Sequence, residues 1–203
     1  MDEVNTLSGA ALGREIGWSS MTILLSSPGI VTPYHIDHQS NLLFQIRGRK
    51  SIWLFDPADR RVLGESVIER YYGGETYAAD YREGIQAEGT AYDLTPGLAV
   101  HNPPLGPHWV RNGAEVSISM SINFSLAACE ARARVYQVNR CLRTLGLAPL
   151  PPGRSARRDW IKQQPFKMLA PARPRSLEEL VHGGPARLLR PVAVLRRLLR
   201  RAR

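Results

Sequence analysis

His35-Ile36-Asp37 and the distant His108 are the residues of this chain best suited to chemistry. Side chains at i and i+2 of a strand share one face, so His35 and Asp37 can reach one ion together. A histidine from another strand completes a set of two imidazoles and one carboxylate. Such a set holds one side of an Fe(II) ion and leaves three adjoining positions for other ligands. Taken by themselves, the same residues are also consistent with a satisfied core histidine and a turn aspartate. His101, seven residues before His108, competes for the place of third ligand.

Lys50 introduces a different chemistry. It stands between Ile46 and the apolar run Ile52-Trp53-Leu54. A lysine turned into a barrel must meet an anion, because burying an unpaired ammonium is costly. The far carboxylate of an organic acid chelated to the metal would serve as its point-charge partner. The alternative is an exposed hairpin lysine beside Arg47 and Arg49. Thr32, Asn41 and Asn123 are available to add hydrogen bonds.

These residues need strands to position them, and the patterning supplies strands. Expected strands cover 21–25, 31–37, 42–47, 51–55, 91–94, 98–101, 108–111 and 116–124, with a hairpin about Gly48-Arg49. Thr95-Pro96-Gly97, Pro103-Pro104, Gly106-Pro107 and Asn112-Gly113 supply the turns. Many short strands with turns between them indicate a sandwich or barrel. The stretch 58–88 lacks clear periodicity and carries Tyr71, Tyr72, Tyr77 and Tyr81; it reads either as a lid or as a packed loop. Helices are expected over 4–16, over 126–145, and after the capping box of Ser176 and Glu179.

Four regions follow: a helical lead-in (1–19), a β domain (20–125), a helix (126–148) and a Pro/Arg-rich extension (149–203). Charge separates the last from the rest. Residues 1–150 hold 13 Lys and Arg against 15 Asp and Glu, while residues 151–203 hold the remaining 14 bases against 3 acids. The basic tail, in which apolar residues alternate with arginines, suits nucleic acid or an anionic membrane. No apolar run is long enough to span a bilayer. The first residues carry two acids before any base and have no long apolar stretch, so no signal peptide is read there. Two cysteines make no disulfide framework. A cytoplasmic setting is expected.

The run Thr32-Pro33-Tyr34-His35-Ile36-Asp37, with Asn41, Gln45-Ile46, Gly48 and Lys50, resembles the core of the JmjC/cupin-like 2-oxoglutarate oxygenases. It is most similar to the branch containing the asparaginyl hydroxylase of hypoxia-inducible factor. That branch has an asparagine six residues after the first histidine and a lysine fifteen after it. His108-Trp109-Val110 and Ile122-Asn123-Phe124 continue the match, and the whole resemblance covers about residues 20–125. It implies a mainly β, double-stranded β-helix (jelly-roll or cupin barrel) with flanking helices. It implies Fe(II) on His35, Asp37 and His108, and 2-oxoglutarate held by Lys50 and Thr32 with Asn41 and Asn123 beside it. With O2, the expected activity is hydroxylation of a protein side chain or small molecule with release of succinate and CO2. A homodimer formed through the helix over 126–145 is a further expectation. The sequence departs from the branch at His38, where relatives have an acid, and in its short N-terminal lead-in. A competing reading is a non-catalytic binding module of the same fold, targeted by its basic tail.

Overall fold

The computed structural model describes residues 15–169 of the 203-residue chain. The helices expected over 4–16 and after Ser176, and the rest of the basic tail, lie almost wholly outside the described residues. Two compact units are present. Among the described residues, one comprises 15–64 together with 79–129, the other 65–78 and 130–169.

Among the described residues the first unit is built of strands, with a short 3-10 turn at Ile85–Glu88 and the start of the helix that follows the last strand. Its strands are β1 (Ile16–Ser26), β2 (Val31–His35), β3 (Ser40–Arg47), β4 (Lys50–Leu54), β5 (Thr90–Leu94), β6 (Ala99–Asn102), β7 (His108–Asn112) and β8 (Ser117–Leu126). They form two four-stranded antiparallel sheets, ordered β1-β8-β3-β6 and β2-β7-β4-β5. The chain passes between the sheets at nearly every connection, which is the winding of the expected double-stranded β-helix. Only the β4–β5 connection differs: both strands lie side by side in one sheet, so the chain turns back there. The hairpin expected about Gly48-Arg49 does not form, because β3 and β4 lie in different sheets and do not pair; the tight passage between them requires Gly48. Its φ is +73°, and a Cβ at that position would lie 2.6 Å from the Val116 carbonyl oxygen.

Leu43 of the first sheet packs on Ile52 and Leu94 of the second, with Leu54, Val100 and Val110 around them. That contact defines the inward faces. Residues paired directly across a ladder share a face, and Leu43 pairs with Ser121, Asn41 with Asn123 and Gln45 with Ser119. The inner wall of the first sheet is therefore largely polar. Gln45 Nε2 donates to Ser117 Oγ at 3.0 Å, and Ser119 Oγ donates to Gln45 Oε1 at 2.8 Å. Ile118, Met120, Ile122 and Phe124 fall on the opposite face. On the second sheet, Lys50, Ile52 and Leu54 of β4 point inward alongside Asn112, Val110 and His108 of β7. Trp53 and Trp109 face outward and stack with centroids 3.7 Å apart, over a cluster of Phe55, Val62 and Ile85.

The second unit contains α1 (Glu65–Tyr72), most of α2 (Ala127–Thr144) and α3 (Ala156–Leu169). Its centre combines Tyr71, Tyr72 and Tyr136 with an ion pair. Glu69, 1% exposed, accepts hydrogen bonds from Arg143 Nε at 2.6 Å and Nη2 at 2.9 Å. The lid reading of the tyrosines is corrected here for two of the four. Tyr71 and Tyr72 are buried in this unit's core, whereas Tyr77 and Tyr81 are exposed. No described helix is long and apolar enough to cross a membrane.

Candidate functional site

Pro33 begins the site. It has no N–H to give to a ladder, and the β2–β7 register shifts between Thr32 and His35. Such irregularities re-aim side chains. The freed Pro33 carbonyl accepts a hydrogen bond from His35 Nδ1 at 2.7 Å. This fixes the tautomer and leaves the Nε2 lone pair available. β2 ends at His35, so Asp37 does not share a strand with it, contrary to the i, i+2 argument. Asp37 is held instead by its backbone: the Leu105 N–H donates to the Asp37 carbonyl at 2.7 Å.

The loop that supplies this bond also aims His108. Gly106 N–H closes a turn onto the Pro103 carbonyl at 2.9 Å, and Leu105 within it has φ of +62°. A leucine in the left-handed region is strained, and strain of this kind concentrates at functional sites. His108 Nδ1 donates to the Gly106 carbonyl at 3.0 Å. Asn102, 2% exposed, donates from Nδ2 to the same carbonyl at 3.3 Å and lies 3.0 Å from His108 Nδ1. A Cβ on residue 106 would sit 2.2 Å from Asn102 Oδ1, so only glycine fits.

The result is a convergence of three donors. Asp37 Oδ2 lies 3.7 Å from His35 Nε2 and 3.8 Å from His108 Nε2, and the three ligand atoms are within 4.8 Å of one another. Both imidazoles are oriented through Nδ1 by backbone carbonyls, as metal-binding histidines generally are. Burial first, then the neighbouring His35, hold the His108 pKa down to about 4 against the opposing pull of Asp37. His108 is thus neutral, with its lone pair available, across the physiological range. The side chains are 26%, 40% and 10% exposed for His35, Asp37 and His108, so the site opens to solvent on the Asp37 side. The donor set fits a divalent first-row ion with room for further ligands. His101 takes no part: it lies on the other face of β6 and bonds Ser40 Oγ at 2.8 Å.

Lys50 is 5% exposed, not a surface hairpin lysine. Among the described residues it has no hydrogen-bond or ion-pair partner. Burial lowers its pKa. Leu54, four residues along the same inward row, pairs with His108. Lys50 and His108 therefore share one wall, about 13 Å apart along the strand at 3.3 Å per residue. Beside Lys50 is a concavity of about 350 Å³ that Arg49, Leu94, Arg111 and Asn112 help to line.

The other expected contacts divide. Asn41 and Asn123 meet on the inner wall of the first sheet, where Asn41 Nδ2 donates to Asn123 Oδ1 and to Ser121 Oγ, both at 2.6 Å. Thr32 faces inward by register with Val110 but is exposed and makes no bond to Lys50. Sequence reasoning missed Asn102, Leu105, Gly106 and Ser121. Only Gly106, inside a Pro-Gly turn, carried a visible signal.

A family model described as cupin-like domain matches residues 6–130. Among curated proteins no sequence matches. Among solved structures the chain is similar to the DMSP lyase DddQ of Ruegeria pomeroyi, at 14% identity over 53% of this chain and 38% of that one, TM-score 0.35. It is similar to an oxalate decarboxylase of Bacillus subtilis, at 12% identity over 54% of this chain and 22% of that one, TM-score 0.37. A third is the oxalate decarboxylase of Lactobacillus farciminis in a formate complex, at 11% identity over 54% of this chain and 24% of that one, TM-score 0.37. The chain spans less than two fifths of the length of each of these proteins.

Proposed function

The chain belongs to the cupin-like domain family, and from that premise we propose that it is an Fe(II)- and 2-oxoglutarate-dependent dioxygenase. The reaction is hydroxylation: substrate R–H, 2-oxoglutarate and O2 give R–OH, succinate and CO2. The substrate is a protein side chain or a small molecule. The observation that carries this reading is Lys50, a buried cation without a partner among the described residues, on the same wall as His108 of a His-Asp-His cluster. A binding module has no use for that expense, since an unpaired buried charge destabilises the fold.

His35, Asp37 and His108 would hold Fe(II), which when bound supplies the redox chemistry that couples decarboxylation of the oxo acid to oxidation of the substrate. The rest of the work falls to the chain. Lys50 is placed to pair with the distal carboxylate as a point charge. Asn41 and Asn123, fixed by Ser121, offer amide groups along the facing wall. The polar lining of Gln45, Ser117 and Ser119 suits a hydrophilic cosubstrate. The exposed Asp37 side is the approach for substrate.

The test compares two chelators by calorimetry on metal-loaded protein. Both 2-oxoglutarate and oxalate can bind a metal bidentately, but only the former reaches Lys50. Lys50→Met is expected to weaken 2-oxoglutarate at least tenfold and leave oxalate within about twofold, by loss of one charge-assisted contact. Equal weakening of both, or of neither, would remove 2-oxoglutarate from the proposal.

A further inference from the structure

We infer that the exposed side of α3 that carries Arg157, Trp160 and Ile161 docks on an anionic lipid bilayer. The matched domain ends at residue 130, so α3 lies outside the matched residues and the inference stands whether or not the oxygenase reading holds. On α3, Arg157, Trp160 and Ile161 stand at i, i+3 and i+4, one side of a helix. All three are exposed, Trp160 by 61% and Ile161 by 53%. Arg154 and Arg158 beside them are exposed too, and none of the three arginines has a carboxylate partner among the described residues. The polar groups of the other side are already engaged. Lys162 Nζ donates to Asn139 Oδ1 at 2.6 Å, and Asp159 Oδ2 accepts from Gly153 N–H at 2.6 Å.

The sequence beyond α3 extends the same chemistry. Residues 170–203 carry 9 bases and 2 acids. Near the C-terminus, Leu195, Leu198, Leu199 and Ala202 follow helical spacing, with Arg196, Arg197, Arg200 and Arg201 between them. Those apolar residues are aliphatic. Aliphatic side chains lack the flat rings that stack on nucleic-acid bases, but they gain by leaving water for the acyl boundary of a bilayer. Tryptophan favours the same interface. Each arginine near an anionic leaflet strengthens binding roughly fivefold. An exposed Trp-Ile pair flanked by unpaired arginines therefore complements a lipid surface better than a nucleic acid.

The test is co-sedimentation of the full chain with vesicles of phosphatidylcholine, alone or with about a third phosphatidylserine. At least tenfold more protein is expected on the anionic vesicles, with a blue shift of tryptophan emission and loss of binding in high salt. Trp160→Ser with Ile161→Ser should reduce binding severalfold and abolish the shift. Arg154, Arg157 and Arg158 changed together to Glu should abolish binding. Circular dichroism and an unchanged thermal unfolding midpoint verify that each variant folds. Equal binding to both vesicle types, indifference to both sets of substitutions, or tighter binding to an oligonucleotide than to lipid would each overturn the inference.

Discussion

Replacing Lys50 with methionine should stabilise the metal-free protein while disabling the proposed cosubstrate site. The side chain is 5% exposed and has no partner among the described residues. Methionine keeps most of its buried methylene length, each worth about 0.8 kcal/mol, and removes a polar group whose unsatisfied burial costs about 1–3 kcal/mol. A gain of about 1–3 kcal/mol follows. For a protein of this size, each kcal/mol moves Tm by about 2–4 °C, so scanning calorimetry should show a rise of several degrees. Stability should also respond to pH. The folded pKa of Lys50 lies below its ordinary value, so between the two the unfolded chain holds more protons. Wild-type stability therefore rises as pH climbs through the folded pKa toward the unfolded one. The advantage of Lys50→Met should be largest at neutral pH and shrink in that alkaline window. Conversely, saturating 2-oxoglutarate should stabilise metal-loaded wild type by about 2.7 kcal/mol at a hundredfold excess over Kd, and stabilise the variant much less. If Lys50→Met lowers Tm at neutral pH, Lys50 is paired in solution and the reasoning fails.

Gly106→Ala should weaken metal binding by about 10- to 100-fold, because its Cβ would strike Asn102 Oδ1 and disturb the support of His108; competition with a chromophoric chelator measures it. In the same assay His108→Ala should abolish specific binding and His101→Ala should leave it within about twofold, since removing the latter loses only a bond to Ser40. Arg143→Ala should destabilise the helical unit by about 3 kcal/mol in urea, because it strands the buried Glu69 carboxylate.

The strands were legible because alternation and turn residues mark them locally, except the first part of β1, where 16–19 fall in the expected helical lead-in, and His35, Asp37, His108 and Lys50 stood out because their spacing is specific. What escaped was set by tertiary contacts. Asp37 leaves the strand and is held by an N–H from residue 105, far away in sequence. Leu105 adopts a positive φ that no local rule assigns to leucine. β8 turns its serines inward and Ile118, Met120 and Ile122 outward, because pairing of Leu43 with Ser121 fixes the register. α1 is only eight residues long, too short to stand out, although Ile68, Tyr71 and Tyr72 follow helical spacing and are buried. The polar inner wall is the most informative of these differences, since a ligand-binding barrel needs one and a purely structural barrel does not.

The most direct test of the oxygenase reading is the visible spectrum of anaerobic, Fe(II)-loaded protein titrated with 2-oxoglutarate. A metal-to-ligand charge-transfer band is expected in wild type, absent in Asp37→Ala and reached only at higher 2-oxoglutarate concentration in Lys50→Met. Folded, iron-loaded wild type that develops no band would contradict it.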